Sequence, residues 1–442
     1  MTATATAKAA TTPAKAERLI TLDVIRGIAV MGIFSTNVVG MAMLQFAYFY
    51  PPAFGFEGLG DRLLWLANFL FVDGKFRSLF SILFGASLML VVEGAVRAGR
   101  SPWRTHYARM IVLLLLGWLH WALLWWGDIL AHYAAVGMVA VLMWKLRART
   151  LLIISLALFV LHAAPGAYFF TKEAADYRLS QKPDAPAELK EKWAERLKDL
   201  KPDAKTLAED RAEHRTIATR FNGALADVDL NNGISTDEVF DILEPLDLGP
   251  LWLETLALML LGMAGYRSGF LTGQWDDRRY KKAALAGLGI GFAVYGIFAI
   301  IIWRANFAPL EFFGIGQVYS PLFRPVMAMG YAALFILMFR NRSALRDRFA
   351  AVGRTAFSNY LGCTILGTLL FYGFAGDLYA TLSRGQAWLF VPFVWAAMLW
   401  WSKAWLDRFA YGPFEWLWRS LARWELQPMR KRIPANATAA EA

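Results

Sequence analysis

LLWLANFLFVDGKFRSLFSILFGASLML, Leu63 to Leu90, is apolar and long enough to cross a lipid bilayer, yet Asp73, Lys75 and Arg77 stand in its middle. A run of about 20 apolar residues reads as a transmembrane helix. Charges inside such a run are costly, so they face a protein interior or a watery cavity and mark either a substrate path or an internal ion-pair network. The segment therefore implies a membrane protein with a polar internal site. Gly74, next to Asp73, is where the helix is expected to break. The second half-helix would then offer free N–H groups that, with Lys75, Arg77 and Ser78, suit a phosphate, a carboxylate or a cofactor pyrophosphate. The competing reading is structural, with the charges holding helices in register.

Similar runs recur along the chain, near Leu19–Met43, Ile111–Trp126, Ile129–Trp144, Leu151–Phe170, Leu251–Ala264, Ala283–Trp303, Leu322–Phe339, Ala356–Ala375 and Ala387–Trp405. The expected fold is an all-α polytopic helical membrane protein with about ten transmembrane helices and a broken second span. Placing the N-terminus in the cytoplasm makes every inside connection basic, from Arg97, Arg100 and Arg104 to Arg342, Arg346 and Arg348, while the outside connections carry far fewer cations. The positive-inside rule then puts both termini in the cytoplasm. Two crossings in Leu63–Leu90 would invert every later loop, so a single broken crossing is expected.

Apolar residues make up 57% of the chain and aromatics 15%, and the formal charge of +11 lies in short connections, which excludes a nucleic-acid patch as its reading. The single cysteine, Cys363, rules out an internal disulfide or a cysteine metal cluster. No nucleophile elbow, phosphate-binding loop or dinucleotide fingerprint sits in a suitable context, so soluble hydrolase, ATPase and dehydrogenase classes lack support. The expected organisation is a cytoplasmic tail (1–18), a five-span bundle (19–170), a polar periplasmic insertion (171–248), a second five-span bundle (249–407) and an interfacial basic and aromatic helix with its tail (408–442).

The first span places Asp23 and Arg26 three residues apart on neighbouring parts of one helix face, with Asn37 three turns further in. Its block LDVIRGIAVMGIFSTN (Leu22–Asn37) joins DGKFRSLFSILFGAS (Asp73–Ser87), HWALLWWGDILAHYAAVG (His120–Gly137), GRTAFSNYL (Gly353–Leu361) and GPFEWLWRSL (Gly412–Leu421). In this order the blocks resemble the DUF418 (YeiB-like) family of bacterial inner-membrane proteins, which implies a multi-pass inner-membrane location. The first-span pattern looks like that of transmembrane acyltransferases, including the acyltransferase-3 group and heparan-glucosaminide N-acetyltransferase. That likeness implies acyl transfer from a cytosolic donor such as acyl-CoA. Asp23, Arg26 and Asn37 are substrate-binding candidates, with Arg26, Lys75 and Arg77 expected to bind the anionic part of a donor or lipid. The heparan enzyme has a histidine soon after its first span; here Met43–Asp61 contains none.

His120, Asp128, His132 and Tyr133 form the candidate acid/base cluster. Asp128 and His132 are spaced i, i+4, so a helix would let the carboxylate hold one imidazole tautomer and leave the other nitrogen to exchange protons, with His120 joining across the turn. The alternative is an aromatic belt with Trp118, Trp121, Trp125 and Trp126. Glu254, Ser358, Asn359 and Tyr360 are further intramembrane candidates, Asn359 among the substrate-binding set.

In the polar insertion, charge alternation over Glu188–Lys205 suggests one or two exposed amphipathic helices. Asp227, Asp229, Asn231, Ser235 and Glu238 fall on ligand positions of a twelve-residue calcium loop, with Asn232 where glycine is usual. A turn-rich cap is the plainer reading. Ala283, Gly287 and Gly291 form a small-residue stripe for close intramolecular packing or a homodimer seam. The C-terminal block, with Trp416, Trp418, Trp424, Arg419 and Arg423, reads as an interfacial helix on anionic lipid, with Glu415 placed to pair with Arg419. Two function classes follow: an inner-membrane acyltransferase, or a transporter, flippase or lipid-binding protein for an anionic metabolite or lipid. A scaffold whose charges only fix helix register is the remaining alternative.

Overall fold

The computed structural model describes residues 13–224, 243–246, 249–373 and 375–431. Among these residues the chain is helical without a strand, apart from an isolated bridge between Phe409 and Arg430. The first half comprises α1 (Pro13–Ala42), α2 (Gln45–Phe49), α3 (Leu59–Phe71), α4 (Lys75–Arg97), α5 (Pro102–Leu123), α6 (Leu130–Ala140) and α7 (Ala148–Ser180). The short polar helices α8 (Ala187–Asp199), α9 (Ala204–Glu213) and α10 (Ile217–Ala224) follow. The second half comprises α11 (Pro250–Arg267), α12 (Asp277–Arg304), α13 (Pro309–Phe313), α14 (Ser320–Met338), α15 (Ala344–Arg354), α16 (Ala356–Phe371), α17 (Arg384–Trp388), α18 (Val391–Arg408) and α19 (Pro413–Arg423).

Seven stretches among the described residues are long and apolar enough to cross a membrane: Ile20–Ala42, Leu59–Arg97, Pro102–Leu123, Ala148–Ser180, Asp277–Arg304, Pro309–Met338 and Arg384–Arg408. The other three expected spans are helical but of another kind. Leu130–Met143 and Ala356–Phe371 are short apolar helices, reaching about 21 and 24 Å against a hydrocarbon core of about 30 Å. In α11, Ala257, Leu258, Met259 and Leu260 have no exposed surface, so protein surrounds this helix on every side.

The second span is interrupted as its sequence implies. Gly74 adopts a φ of 71°, a left-handed conformation that glycine takes without steric cost. The Phe76 ring packs against Gly32, about midway along the apolar part of α1, which sets the break at mid-depth of that span. The N-terminus of α4 is less open than expected, because the Lys75 and Phe76 N–H groups donate to the Val72 carbonyl at 3.0 and 3.2 Å.

Glycine also lets α4 and α11 approach closely. A Cβ at Gly85 would overlap the Met259 carbonyl, and one at Gly262 would overlap the Ile82 carbonyl. This reciprocal seam sets the depth at which α11 presents its polar residues to α4. One core cluster surrounds Leu79, Ile82, Met259 and Met327; a second surrounds Val38, Met41, Tyr360 and Val391, and both draw on the two halves of the chain. The small-residue stripe of α12 is used inside the chain, with Gly287 against Gly330 and Gly291 against Met327.

Candidate functional site

The charges of the broken span meet two partners from the second half of the chain. Glu254 on α11 is 2% exposed, and its Oε2 accepts from Arg77 Nη2 at 2.8 Å. Its Oε1 lies 3.5 Å from Arg324 Nη1, supplied by α14. A π-helical turn at Gly314–Tyr319 precedes α14, and the Gly316 carbonyl accepts from Arg324 Nη2 at 3.0 Å while Ser320 Oγ lies at the same distance. Such widened turns recur at functional sites. Two guanidinium groups thus share one carboxylate. Arg77 Nη1, Arg324 Nε and Ser78 Oγ are all buried without a hydrogen-bond partner among the described residues. The arrangement has positive charge and donors to spare, the requirement for receiving an oxyanion.

The other members of the break behave differently. Lys75 is fully buried, donates to the Phe69 carbonyl and sits 3.4 Å from the centre of the Tyr295 ring, so an aromatic cage holds it. Asp73 lies exposed in the gap, and its carboxylate makes no hydrogen bond or ion pair among the described residues. Gly74 faces Arg324, and a side chain there would collide with the guanidinium.

The histidine cluster forms with a different pairing from the expected one. Asp128 does not reach His132, because α6 starts only at Leu130 and Asp128 therefore precedes the helix instead of lying on it. Its Oδ2 accepts from the Ala131 N–H at 2.8 Å, leaving Oδ1 for His120 Nδ1 at 2.8 Å. Both side chains are almost completely buried, at 2% and 0% exposure. His120 Nε2 is buried without a hydrogen-bond partner among the described residues, and the ring packs 5.5 Å from that of Tyr360. His132, by contrast, is engaged at both nitrogens, with the Leu246 carbonyl at 2.8 Å and Thr255 Oγ1 at 2.9 Å. It ties α6 to α11.

The two clusters adjoin. Tyr133 pairs with Ser81 at 2.6 Å and reaches the Arg77 carbonyl at 3.4 Å. It lies on the first turns of α6, five residues after Asp128. Tyr360 donates to the Gly127 carbonyl at 3.3 Å, and with Asn37, Cys363 and Thr364 it lines a small cleft between α1 and α16. The Asn37 amide makes no hydrogen bond among the described residues.

The remaining candidates are committed to packing. Arg26 bonds Asp23 at 2.8 Å, Ser87 Oγ at 2.7 Å and the Gly353 carbonyl at 3.4 Å, lacing α1 to α4 and α15. Asn359 donates to Ser402, Thr355 and Val352 and accepts from Trp401, a strap between α16 and α18. Glu415 turns away from the expected Arg419 partner. It receives the Phe357 and Ser358 N–H groups at 2.7 and 3.1 Å, closing the N-terminus of α16. The calcium-loop residues Asp227, Asp229, Asn231, Ser235 and Glu238 lie outside the described residues, within which no group of three or more metal-type ligands occurs. Arg324, Ser320 and Tyr295 were absent from the sequence candidates. Arg324 carried a usable signal, an arginine inside the apolar run Leu322–Phe339.

Residues 265–425 match the family model described as "Protein of unknown function (DUF418)". The chain is 31% identical over 415 residues to the Escherichia coli (strain K12) protein named "Uncharacterized protein YeiB", covering 92% of this chain and 96% of that one. The chain belongs to the DUF418 (YeiB-like) family. A second family relative, "Uncharacterized protein YxaH" of Bacillus subtilis (strain 168), is 28% identical over 441 residues, covering 94% of this chain and 97% of its own. No solved structure is significantly similar to the chain. Fold, family and these relatives together describe a multi-pass helical membrane protein of bacterial type.

Proposed function

We propose that the protein is an inner-membrane acyltransferase in which His120 accepts a proton from the acceptor and the Arg77–Glu254–Arg324 cluster holds an anionic part of a reactant. The observation that carries this reading is the buried His120–Asp128 pair, in which His120 Nε2 has no hydrogen-bond partner among the described residues. Asp128 is itself fixed by the Ala131 N–H, so it holds the imidazole with the proton on Nδ1 and the lone pair on Nε2. In the proposed reaction an acceptor hydroxyl or amine attacks the acyl carbonyl carbon of an acyl-CoA thioester. Its proton passes to Nε2, the carbon–sulfur bond breaks, and the thiolate leaves and regains a proton. A positioned base of this kind contributes about 10²–10⁴-fold.

Basic connections such as Lys145, Arg147 and Arg149 support both termini being cytoplasmic. On that topology His120, near the end of α5 away from the basic connection at Arg97, Arg100 and Arg104, lies toward the outer face, so acyl transfer from a cytosolic donor would carry the acyl group through the bundle. The mid-depth break with exposed Asp73 favours a second reading, transport of an anionic metabolite or lipid past the same arginines.

One experiment separates the two. Native membrane vesicles that overproduce the chain receive acyl-CoA with a radiolabelled acyl group. Label appearing in a lipid or glycan acceptor, and lost in His120→Ala, supports acyl transfer. Labelled anions crossing the membrane unchanged, with loss in Arg77→Gln and not in His120→Ala, would replace the acyltransferase reading with transport.

A further inference from the structure

A second cationic site, separate from the one at the broken span, lies on the face of the bundle that carries the basic connections. There α19 packs across α5. Trp418 Nε1 donates to the Arg109 carbonyl at 2.8 Å, and the Arg109 guanidinium lies 4.0 Å from the Trp418 ring centre. Stacking leaves the edge of the guanidinium unused, and it makes no hydrogen bond or ion pair among the described residues. Arg419, one position along α19, lies 4.7 Å over the Tyr411 ring, and its Nε is buried without a hydrogen-bond partner among the described residues. Arg423, a turn later, bonds only Gln427 Oε1, at 2.6 Å. Arg419 and Arg423 both fall within electrostatic range of Arg109.

Glu415 and Asp23 lie within electrostatic range of Arg419, but the hydrogen bonds of both go elsewhere. Glu415 receives the Phe357 and Ser358 N–H groups and the Ser358 hydroxyl. Asp23 is bound to Arg26. Arg419 and Arg423 repel Arg109, and among the described residues none of the three makes a hydrogen-bonded ion pair with a carboxylate. Three guanidinium groups within electrostatic range of one another, two of them with donors left over, suit the oxygens of a phosphate.

We propose that Arg109, Arg419 and Arg423 form a binding site for a phosphate-bearing anion between α5 and α19. Its source is either the headgroup of an anionic phospholipid or a soluble phosphate compound. The bound anion fastens the C-terminal helix to the bundle by joining its cations to that of α5.

The test uses the full chain in nanodiscs of phosphatidylcholine, with either phosphatidylglycerol added to the lipid or pyrophosphate added to the buffer, read by thermal unfolding and by native mass spectrometry of retained lipid. A stabilising response of about 2 °C or more to phosphatidylglycerol, with retained lipid, identifies the lipid source, and the same response to pyrophosphate identifies the soluble one. Arg109→Gln combined with Arg419→Gln should weaken the response about ten-fold or more in ligand concentration. Arg423→Gln, at an exposed position, should weaken it in the same direction and serves if the double variant fails to fold. No response of the wild-type protein to either probe, or an undiminished response in the variants, would overturn the proposal.

Discussion

Arg77 Nη2 and Glu254 Oε2 lie 2.8 Å apart and join the first turn of α4 to the start of α11, residues separated by 177 positions. Arg324 approaches the other carboxylate oxygen at 3.5 Å, so Glu254 is the shared counter-ion of two arginines. The three charges are therefore unequal in consequence. Removing Glu254 leaves two cations facing each other, whereas removing Arg77 leaves Glu254 with Arg324. Glu254→Gln should destabilise the protein by about 2–4 kcal/mol and Arg77→Gln by less, because the Arg77 side chain is 22% exposed and solvent screens part of its charge. The double variant should recover part of the loss. Thermal unfolding of the four proteins in one lipid composition measures the coupling.

The α4–α11 seam gives a sharper contrast within one helix. Gly85→Ala forces a methyl group into the Met259 carbonyl and should cost about 3 kcal/mol or more. Gly94→Ala meets nothing within 4 Å and should be neutral or stabilising by about 0.5–1 kcal/mol through helix propensity. Equal effects of the two substitutions would mean that the helices do not approach along this seam.

Gly74 combines a left-handed backbone with contact to Arg324. Gly74→Ala should therefore cost about 1–2 kcal/mol in backbone strain and also displace the Arg324 guanidinium. Anion binding or turnover should fall further than the stability loss alone explains. Comparison with Gly94→Ala, measured for both stability and ligand response, separates the two effects.

Glu415 supplies a pH dependence outside the membrane-crossing helices. Burial pushes its carboxyl above the ordinary value of 4.5, with hydrogen bonds from Ser358 and Phe357 opposing the shift in part. A raised folded-state value means that the folded protein holds this proton more tightly than the unfolded chain. The resulting stabilisation is complete below about pH 4.5 and disappears as pH rises through the raised value. Wild type should therefore lose stability relative to Glu415→Gln as pH rises from about 4.5 through the raised value. The difference in unfolding temperature between the two proteins across that range checks it.

The broken span was legible because three charges in an apolar run announce both the bilayer and the interior site. Its partners were not, since pairing Arg77 with Glu254 and Arg324 depends on the α4–α11 seam and on a π-helical turn that begins 60 residues after Glu254. The histidine cluster was located but wired differently. The i, i+4 rule applies only inside a helix, and Asp128 stands two residues before α6 begins. Arg26 and Asn359 drew notice as polar residues in apolar helices, a property that packing straps share with binding sites. Composition distinguishes them from neither. Helix length separated the seven membrane-length stretches from Leu130–Met143 and Ala356–Phe371, and burial set α11 apart, whereas hydrophobicity alone groups them together.

The central claim is that His120 Nε2 takes the acceptor's proton, and acyl-label transfer in membrane vesicles tests it most directly when run on His120→Gln, Asp128→Asn and His132→Gln together. The account predicts a loss of about 100-fold or more for the first, a comparable loss for the second, and retained turnover for the third once its amount of folded protein is matched. Full transfer by His120→Gln, or loss confined to His132→Gln, would contradict it.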